Sequence, residues 1–373
     1  MPALKVLLLL PSFNAGGAEN YALRLIRFAS AGDHEWHVMA PTSGPGDLRI
    51  EFERAGASAH CQAIGFLNPL RVLRFYRFLR AKEIQSVASF NGVFGGLALA
   101  IAALAGVSVR VGWHRRSTPA YKPTFLRRLY AHFALGLLEK ASTRILSNSE
   151  AALDVFHGEK WGDDPRYSIV PNGVDVKLYR DFPESKELAK ERLGFPKDVM
   201  VVGHVGRYDP AKNHQTIFRV ARELLRENKN YLFVFCGKDT DTPDFAAELE
   251  RFDIGAACRC MGLQNNLPRI YRAMDVFYFP SVTEGQPNAL IEAILTGTPF
   301  VASDIPGNRS VVPPWLHEGL VSALDVQQAH EAIRGDGMQS ETEIQRASAW
   351  AAERFDLAVN MSRSLETLHM QCG

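Results

Sequence analysis

Short apolar runs alternate with amphipathic stretches along this chain, and the alternation starts afresh halfway. Lys5–Leu10 reads as a strand, Pro11–Gly17 as the loop after it, and Ala18–Ala31 as an amphipathic helix, with His34–Ala40 opening the next round. The second start is Val199–Gly206. A loop and a helix at His214–Asn228 follow it, with further strands at Tyr231–Cys236, Asp275–Phe279 and Pro299–Ser303. Strands apolar on both faces are buried by helices on both sides of a parallel sheet. The expectation is an α/β protein of two Rossmann-like domains. Such sheets bind ligands beyond the carboxyl ends of their strands, so two facing domains would enclose a cleft. The boundary falls near Ile169-Val170-Pro171-Asn172-Gly173-Val174-Asp175, dividing the chain into residues 1–170 and 171–354, with a last helix from about Leu357 to His369.

The 373 residues, 46% hydrophobic and 22% charged, suffice for two cores and fit a soluble globular protein. A net charge of +1 conceals an asymmetry. Residues 1–170 hold 20 Lys+Arg against 13 Asp+Glu, and the remainder 22 against 28, giving halves of +7 and −6. The basic half suits an anionic partner such as a lipid surface. Nucleic acid is not expected, because no binding motif accompanies the charge. The five cysteines, at 61, 236, 258, 260 and 372, form neither a disulfide ladder nor a paired zinc spacing, which fits a reducing compartment. The first ten residues read as a strand and not as a signal peptide, so a cytoplasmic location is expected. Val93–Val109 is short for a membrane span and reads as a buried helix and its exit.

The most informative segment is Glu284-Gly285-Gln286-Pro287-Asn288-Ala289-Leu290-Ile291-Glu292. It leaves a buried strand and opens a helix, with Pro287 near the start and Gly297 as the stop. Free N–H groups at that helix start favour an anion, and a carboxylate lies on each side of it. Leu290, Ile291, Ile294 and Leu295 share one apolar face. Glu292 lies off that face, where a solvated surface glutamate and a ligand-binding one are both compatible with the pattern. In the same half, Arg207 ends a strand and Lys212 precedes a helix, a placement that suits a diphosphate, although exposed surface charge is the ordinary role of such residues. Gly16-Gly17-Ala18-Glu19 sits at the corresponding turn of the first half. Glycines there allow close backbone approach, but the pattern is not the Gly-x-Gly-x-x-Gly of dinucleotide dehydrogenases. His114 follows the apolar run Val107–Val111, and a structural and a ligand-facing histidine are both open. Arg71, Arg74, Arg77 and Arg80 line one side of a helix over Asn68–Lys82. Either an anionic bilayer or plain solvent would suit them, with Arg115, Arg116, Lys122, Arg127 and Arg128 adding basic surface nearby.

Taken together, these residues resemble glycosyltransferase family 4 and its GT-B fold. The resemblance runs over nearly the full length. It is strongest in Pro171-Asn172-Gly173-Val174-Asp175, Gly206-Arg207, Lys212-Asn213-His214, the Glu284–Glu292 segment and Gly297-Thr298-Pro299-Phe300-Val301. It implies a retaining glycosyltransferase without a metal or other cofactor, moving a sugar from a UDP- or GDP-linked donor to a glycan or lipid-linked acceptor in cell-surface polysaccharide or lipopolysaccharide synthesis. Glu284 would hold hydroxyls of the donor sugar, and Glu292 the ribose. Arg207 and Lys212 would hold the diphosphate, with amides near Gly285, Gln286 and Asn288. Gly16 and Gly17 would approach the donor from the first half, His114 would contact the transferred sugar, and the base would lie near Gly262 and Leu263. The second domain would bind the donor and the first the acceptor, with residues 355–373 crossing back onto the first. A peripheral contact with the inner face of a membrane fits such an acceptor. Asn308 and Asn213 stand where relatives often carry glycine. Three rivals remain. A glycoside hydrolase would use Glu284 and Glu292 as acid and base in a sugar-only cleft. A GT-B epimerase would convert donor without acceptor, and a non-catalytic scaffold would bind without turnover.

Overall fold

The computed structural model describes residues 4–14, 16–32, 34–41, 48–65, 68–115, 124–228, 230–335 and 338–369. The chain divides into two compact units, residues 1–173 with 358–373, and residues 174–357. The first holds a seven-stranded sheet of β1 (Lys5–Leu9), β2 (Glu35–Ala40), β3 (Ser58–Cys61), β4 (Ser86–Ser89), β5 (Val109–His114), β6 (Arg144–Ser147) and β7 (Tyr167–Ile169). Their spatial order is β3-β2-β1-β4-β5-β6-β7, and every neighbouring pair is parallel. The second holds β8 (Met200–Val205), β9 (Tyr231–Cys236), β10 (Cys258–Gly262), β11 (Val276–Phe279) and β12 (Phe300–Ala302), in the order β10-β9-β8-β11-β12 and likewise all parallel.

The expected strands are present with ends moved by one or two residues, except that the run placed at Val107–Val111 becomes β5. The strand is Val109–His114, so His114 is its last residue and does not lie in the segment after it. The strand β4 carries no apolar run, yet Ser-Val-Ala-Ser is buried throughout, since serine is small enough to sit under helices on either face. Val93–Val109 contributes the helix Gly96–Leu104, buried along one side but with Ala103 and Leu104 exposed at its end, and it lies so close to the helix Phe125–Ala141 that a Cβ on Gly96 would stand 2.0 Å from the Ala134 carbonyl oxygen. Among the described residues no helix is long and apolar enough to cross a membrane. The last helix, Leu357–His369, packs within the first unit. There Ser364 Oγ lies 2.6 Å from Tyr21 Oη, and Asn360 Nδ2 donates to the Asn172 carbonyl at 3.2 Å.

Strand order locates the functional ends of both sheets. In the first, the chain winds one way from β1 to β2 and the other way to β4; in the second, β8 is flanked by β9 on one side and β11 on the other. At such a reversal the loops after adjacent strands diverge and leave a crevice at the carboxyl edge. The segments Gly206–Asn213 and Pro280–Pro287 are the two that leave β8 and β11.

Candidate active site

The loop after β8 is built as a rigid platform. Asp209 caps a short 3₁₀ turn, Pro210–Lys212, by accepting from the Ala211 N–H at 2.9 Å. Asn213 then takes a left-handed conformation, φ 59° and ψ 42°, which glycine and asparagine adopt most readily. Its side-chain amide donates to the carbonyls of Pro280 (3.1 Å) and Ala323 (2.7 Å). Asparagine here does more than tolerate the backbone, since it ties the loop to the segment after β11. The Val282 N–H donates to the Ala211 carbonyl at 2.9 Å and closes the same joint.

That joint brings Lys212 Nζ to 2.5 Å from Glu284 Oε1, although 72 residues separate them. Both side chains are mostly enclosed, at 19% and 13% exposure, and the ammonium also lies 5.0 Å from the centroid of the Phe279 ring. Behind Glu284 the backbone passes Gly307 with no room for a side chain. A Cβ there would stand 2.6 Å from the Glu284 carbonyl oxygen and 2.7 Å from its Cβ. Asn308 is fully buried and donates to Ser303 O at 2.8 Å and Ser303 Oγ at 3.0 Å, bracing that turn.

The helix after the Glu284 turn runs Asn288–Thr296, with Pro287 as N-cap and Gly297 at φ 75° as its stop. Pro287 itself offers no side-chain cap, and this end of the helix carries the positive pole of its dipole. Leu290–Thr296 is buried on every side, so the solvated reading of Glu292 does not hold. Glu292 is 8% exposed, and its Oε2 accepts from Tyr271 Oη at 3.1 Å. Burial and this nearby carboxylate push the Tyr271 phenol well above its ordinary range, and the same two causes push the Cys236 thiol up to about 12. Tyr271 was invisible to sequence reading. It arrives from a separate helix, Leu267–Ala273.

Arg207 is half exposed and pairs with Asp209, Nε to Oδ2 at 3.2 Å. Gly285 and Asn288 are half-buried and Gln286 is buried. At the carboxyl edge three glycines stand side by side: the Gly206 N–H donates to the Cys236 carbonyl, and the Gly237 N–H to the Gly262 carbonyl, both at 2.8 Å. A Cβ on Gly237 would stand 2.3 Å from the Gly206 carbonyl oxygen. Gly237 gave no signal of its own in the sequence. Leu263, next to Gly262, is exposed.

In the first unit Gly16 is the N-cap of the helix Gly17–Phe28. A Cβ on Gly16 would meet the carboxylate of the buried Glu19 at 2.5 Å, whereas one on Gly17 would meet nothing within 4 Å. His114, 1% exposed, places Nε2 3.0 Å from His157 Nε2 and stacks on Phe156. Burial, with His157 beside it, lowers its pKa to about 3. Arg115 is not surface charge. Its guanidinium lies 3.7 Å from the centroid of the Tyr21 ring and donates to Asn172 Oδ1 at 2.5 Å, and burial lowers its pKa to about 10. Arg116 and Lys122 lie outside the described residues, as does Cys372.

The helix Pro69–Ala81 buries Phe75 and Leu79 and turns Arg71, Arg74, Arg77 and Arg80 to the exterior, as a sheet-packing helix does. The exposed apolar stripe lies elsewhere. Phe125, Leu129 and Phe133, spaced four apart on the helix Phe125–Ala141, are 78%, 59% and 56% exposed, with Arg127 and Arg128 exposed beside them.

Two parallel α/β sheets, with charged loops meeting at a strand-order reversal, define a nucleotide-type binding architecture. Comparison with known proteins gives it a family. Residues 15–178 match the model for Glycosyltransferase Family 4, and residues 185–335 that for Glycosyl transferases group 1. The chain is similar to the putative glycosyltransferase EpsF of Bacillus subtilis (strain 168), 27% identical over 80% of this chain and 79% of that protein. It is also similar to the UDP-Gal:alpha-D-GlcNAc-diphosphoundecaprenol alpha-1,3-galactosyltransferase of Escherichia coli, 26% identical over 73% and 72%. Its fold matches Anabaena Alr3699/HepE in crystal structures with UDP, TM-score 0.80 at 21% identity, covering 98% of this chain and 100% of that one. The complex with UDP-glucose gives a TM-score of 0.78 at 20% identity, covering 98% and 99%. The chain belongs to glycosyltransferase family 4, with the GT-B fold, and is a transferase.

Proposed function

We propose that this protein moves a hexose, with retention of configuration, from a UDP- or GDP-linked sugar to a glycan or lipid-linked acceptor in the synthesis of a cell-surface polysaccharide or lipopolysaccharide. The observation that carries the reading is the enclosed Lys212–Glu284 pair, held where β8 and β11 part and followed in the chain by the start of the helix Asn288–Thr296. A diphosphate leaving group develops charge as it departs, and a preorganised ammonium with a helix dipole stabilises that charge without reorganising. In this reading Lys212 and Arg207 take the diphosphate, aided by amides of Gly285, Gln286 and Asn288. In this reading no metal takes part. Glu284 takes sugar hydroxyls and Glu292 the ribose. Gly262 and Leu263 face the base, Gly16 and Gly17 leave room for the donor, and His114 contacts the transferred sugar. The acceptor hydroxyl attacks from the face the diphosphate leaves, and a phosphate oxygen receives its proton. The relatives support this chemistry. The E. coli protein is named for a UDP-Gal donor and a diphosphoundecaprenol-linked acceptor, and the Anabaena protein crystallised with UDP and with UDP-glucose.

A thermal-shift panel of UDP- and GDP-sugars tests the reading, since a ligand that binds only the folded state raises the melting temperature by mass action. One nucleotide sugar should stabilise the protein well beyond the others, and release of its nucleotide should depend on an acceptor. No stabilisation by any member, or hydrolysis of an oligosaccharide in the absence of nucleotide, would overturn it. Arg207→Ala should weaken UDP or GDP binding by about tenfold, in line with one hydrogen bond to a charged group. Calorimetry showing equal affinity would remove Arg207 from the phosphate site.

The acceptor side gives a further expectation. Phe125, Leu129 and Phe133, flanked by Arg127 and Arg128, suit an anionic lipid surface better than does the helix Pro69–Ala81. The protein should float with liposomes containing anionic lipid. Phe125→Ser with Phe133→Ser should remove most of the bound fraction, and binding indifferent to both lipid charge and these residues would exclude the contact.

A further inference from the structure

His114 does not stand alone. Three elements converge on it: its own strand β5, the helix Glu150–His157 and the helix Phe125–Ala141. His157 Nε2 lies 3.0 Å from His114 Nε2, and His157 Nδ1 lies 2.8 Å from Glu139 Oε1 and 3.2 Å from Tyr167 Oη. His114 Nδ1 is buried, meets no donor among the described residues, and lies on the side of Gly92, whose backbone is left-handed at φ 55°; a Cβ on Gly92 would stand 3.9 Å from it.

Proton positions in this chain follow from what each group can do. A carboxylate only accepts, so the proton between Glu139 and His157 belongs to His157 Nδ1. A neutral imidazole with Nδ1 protonated has a bare Nε2, and that nitrogen accepts from His114 Nε2–H. His114 is then left with a bare Nδ1. Burial keeps the relay neutral: it lowers the pKa of both rings, against the opposing pull of Glu139 on His157. The opposite order is available in principle. Tyr167, whose phenol is held protonated by burial and by Glu139, could donate to His157 Nδ1 and reverse every bond in the chain. Glu139 decides between the two orders, because its oxygen is the nearer partner and cannot donate.

We infer that Glu139 and His157 are positioning residues that hold His114 as a hydrogen-bond acceptor at Nδ1, presented to a hydroxyl of the transferred sugar. The inference rests on the reading of His114 as a sugar contact. It extends that reading to two side chains on other helices and to the direction of the bond. A buried acceptor without a donor costs free energy, and a ligand hydroxyl recovers it. The site would therefore discriminate UDP-sugar from UDP.

The test has two arms. In protein labelled with ¹⁵N-histidine, the ring resonances lost in His114→Phe should show a bare Nδ1 and a protonated Nε2. In Glu139→Ala those resonances should move toward the opposite tautomer, with Tyr167 now the donor. UDP-glucose is the binding probe, with UDP as its reference. Glu139→Ala and His157→Phe should leave UDP affinity unchanged and lower the preference for UDP-glucose over UDP about fivefold, the worth of one hydrogen bond. A wild-type His114 protonated at Nδ1, or a tautomer and a UDP-glucose preference both unmoved by Glu139→Ala, would overturn the relay. A purely structural His157 would shift the melting temperature and leave that preference alone. Should the wild type bind no nucleotide sugar at all, the transferase reading of the site fails, and the ring resonances still decide the relay on their own.

Discussion

Replacing Glu284 with alanine is expected to lower sugar transfer about a thousandfold while UDP binding stays within a few-fold of the wild type. Two charge-assisted hydrogen bonds to sugar hydroxyls, worth ~1.5–3 kcal/mol each, account for a loss of that size. The diphosphate contacts assigned to Arg207 and Lys212 remain. Lys212 loses its partner at 2.5 Å, but its side chain keeps 19% exposure, so water can reach the ammonium. Stability should fall by only about 1–3 kcal/mol, less than the loss of a partner deep in a core. Single-turnover transfer and urea unfolding of the variant measure the two effects separately. Transfer within tenfold of the wild type would remove Glu284 from the sugar site. Glu284→Gln should fall between, keeping hydrogen-bonding atoms but losing the charge that holds Lys212.

Gly307→Ala should be almost as damaging, although Gly307 carries no functional group. The added Cβ would stand 2.6 Å from the Glu284 carbonyl oxygen, 2.7 Å from its Cβ and 2.8 Å from its carbonyl carbon, and backbone cannot swing aside as a side-chain tip can. Either the Glu284 turn shifts or the short helix Pro306–Arg309 does. Overpacking of this kind costs about 1–3 kcal/mol of stability. A displacement of under an ångström at the carboxylate is expected to cost about a hundredfold in kcat/KM, because catalytic groups act only within a narrow geometry. A variant that loses stability but keeps full kcat/KM would show that the turn tolerates the shift, and that the Glu284 carboxylate is not under tight positional control.

These two residues also mark the limit of what local pattern conveys. Glu284, Pro287 and Gly297 were readable because each acts through its own stretch of backbone: a loop, a helix start and a left-handed stop. Lys212 was readable as a cation before a helix, but its partner was not. That pairing depends on the parallel contact of β8 with β11. Glu292 was ambiguous because Leu290, Ile291, Ile294 and Leu295 form an apolar face whether or not the other side of the helix is covered. Tyr271 reaches Glu292 from a separate helix, 21 residues away along the chain. Arg115 was misread as surface charge for the same reason. Hydropathy does not report that Tyr21 and Asn172 will draw a guanidinium inward.

The alternation of apolar strands with amphipathic helices was enough to establish two parallel-sheet units, and several short segments taken together, Gly206-Arg207, Lys212-Asn213-His214, Glu284–Glu292 and Gly297–Val301 among them, pointed by resemblance to a glycosyltransferase. Both are local signals, since burial on two faces is a requirement on consecutive residues and the motifs that carry the resemblance are short runs of sequence. The order of the strands, and with it the meeting of Lys212 and Glu284, was decided only in three dimensions. So were the absence of room at Gly307 and Gly237 and the relay from Glu139 through His157 to His114. Each of these depends on which distant backbones come within a few ångströms, and no periodicity along the chain encodes that distance.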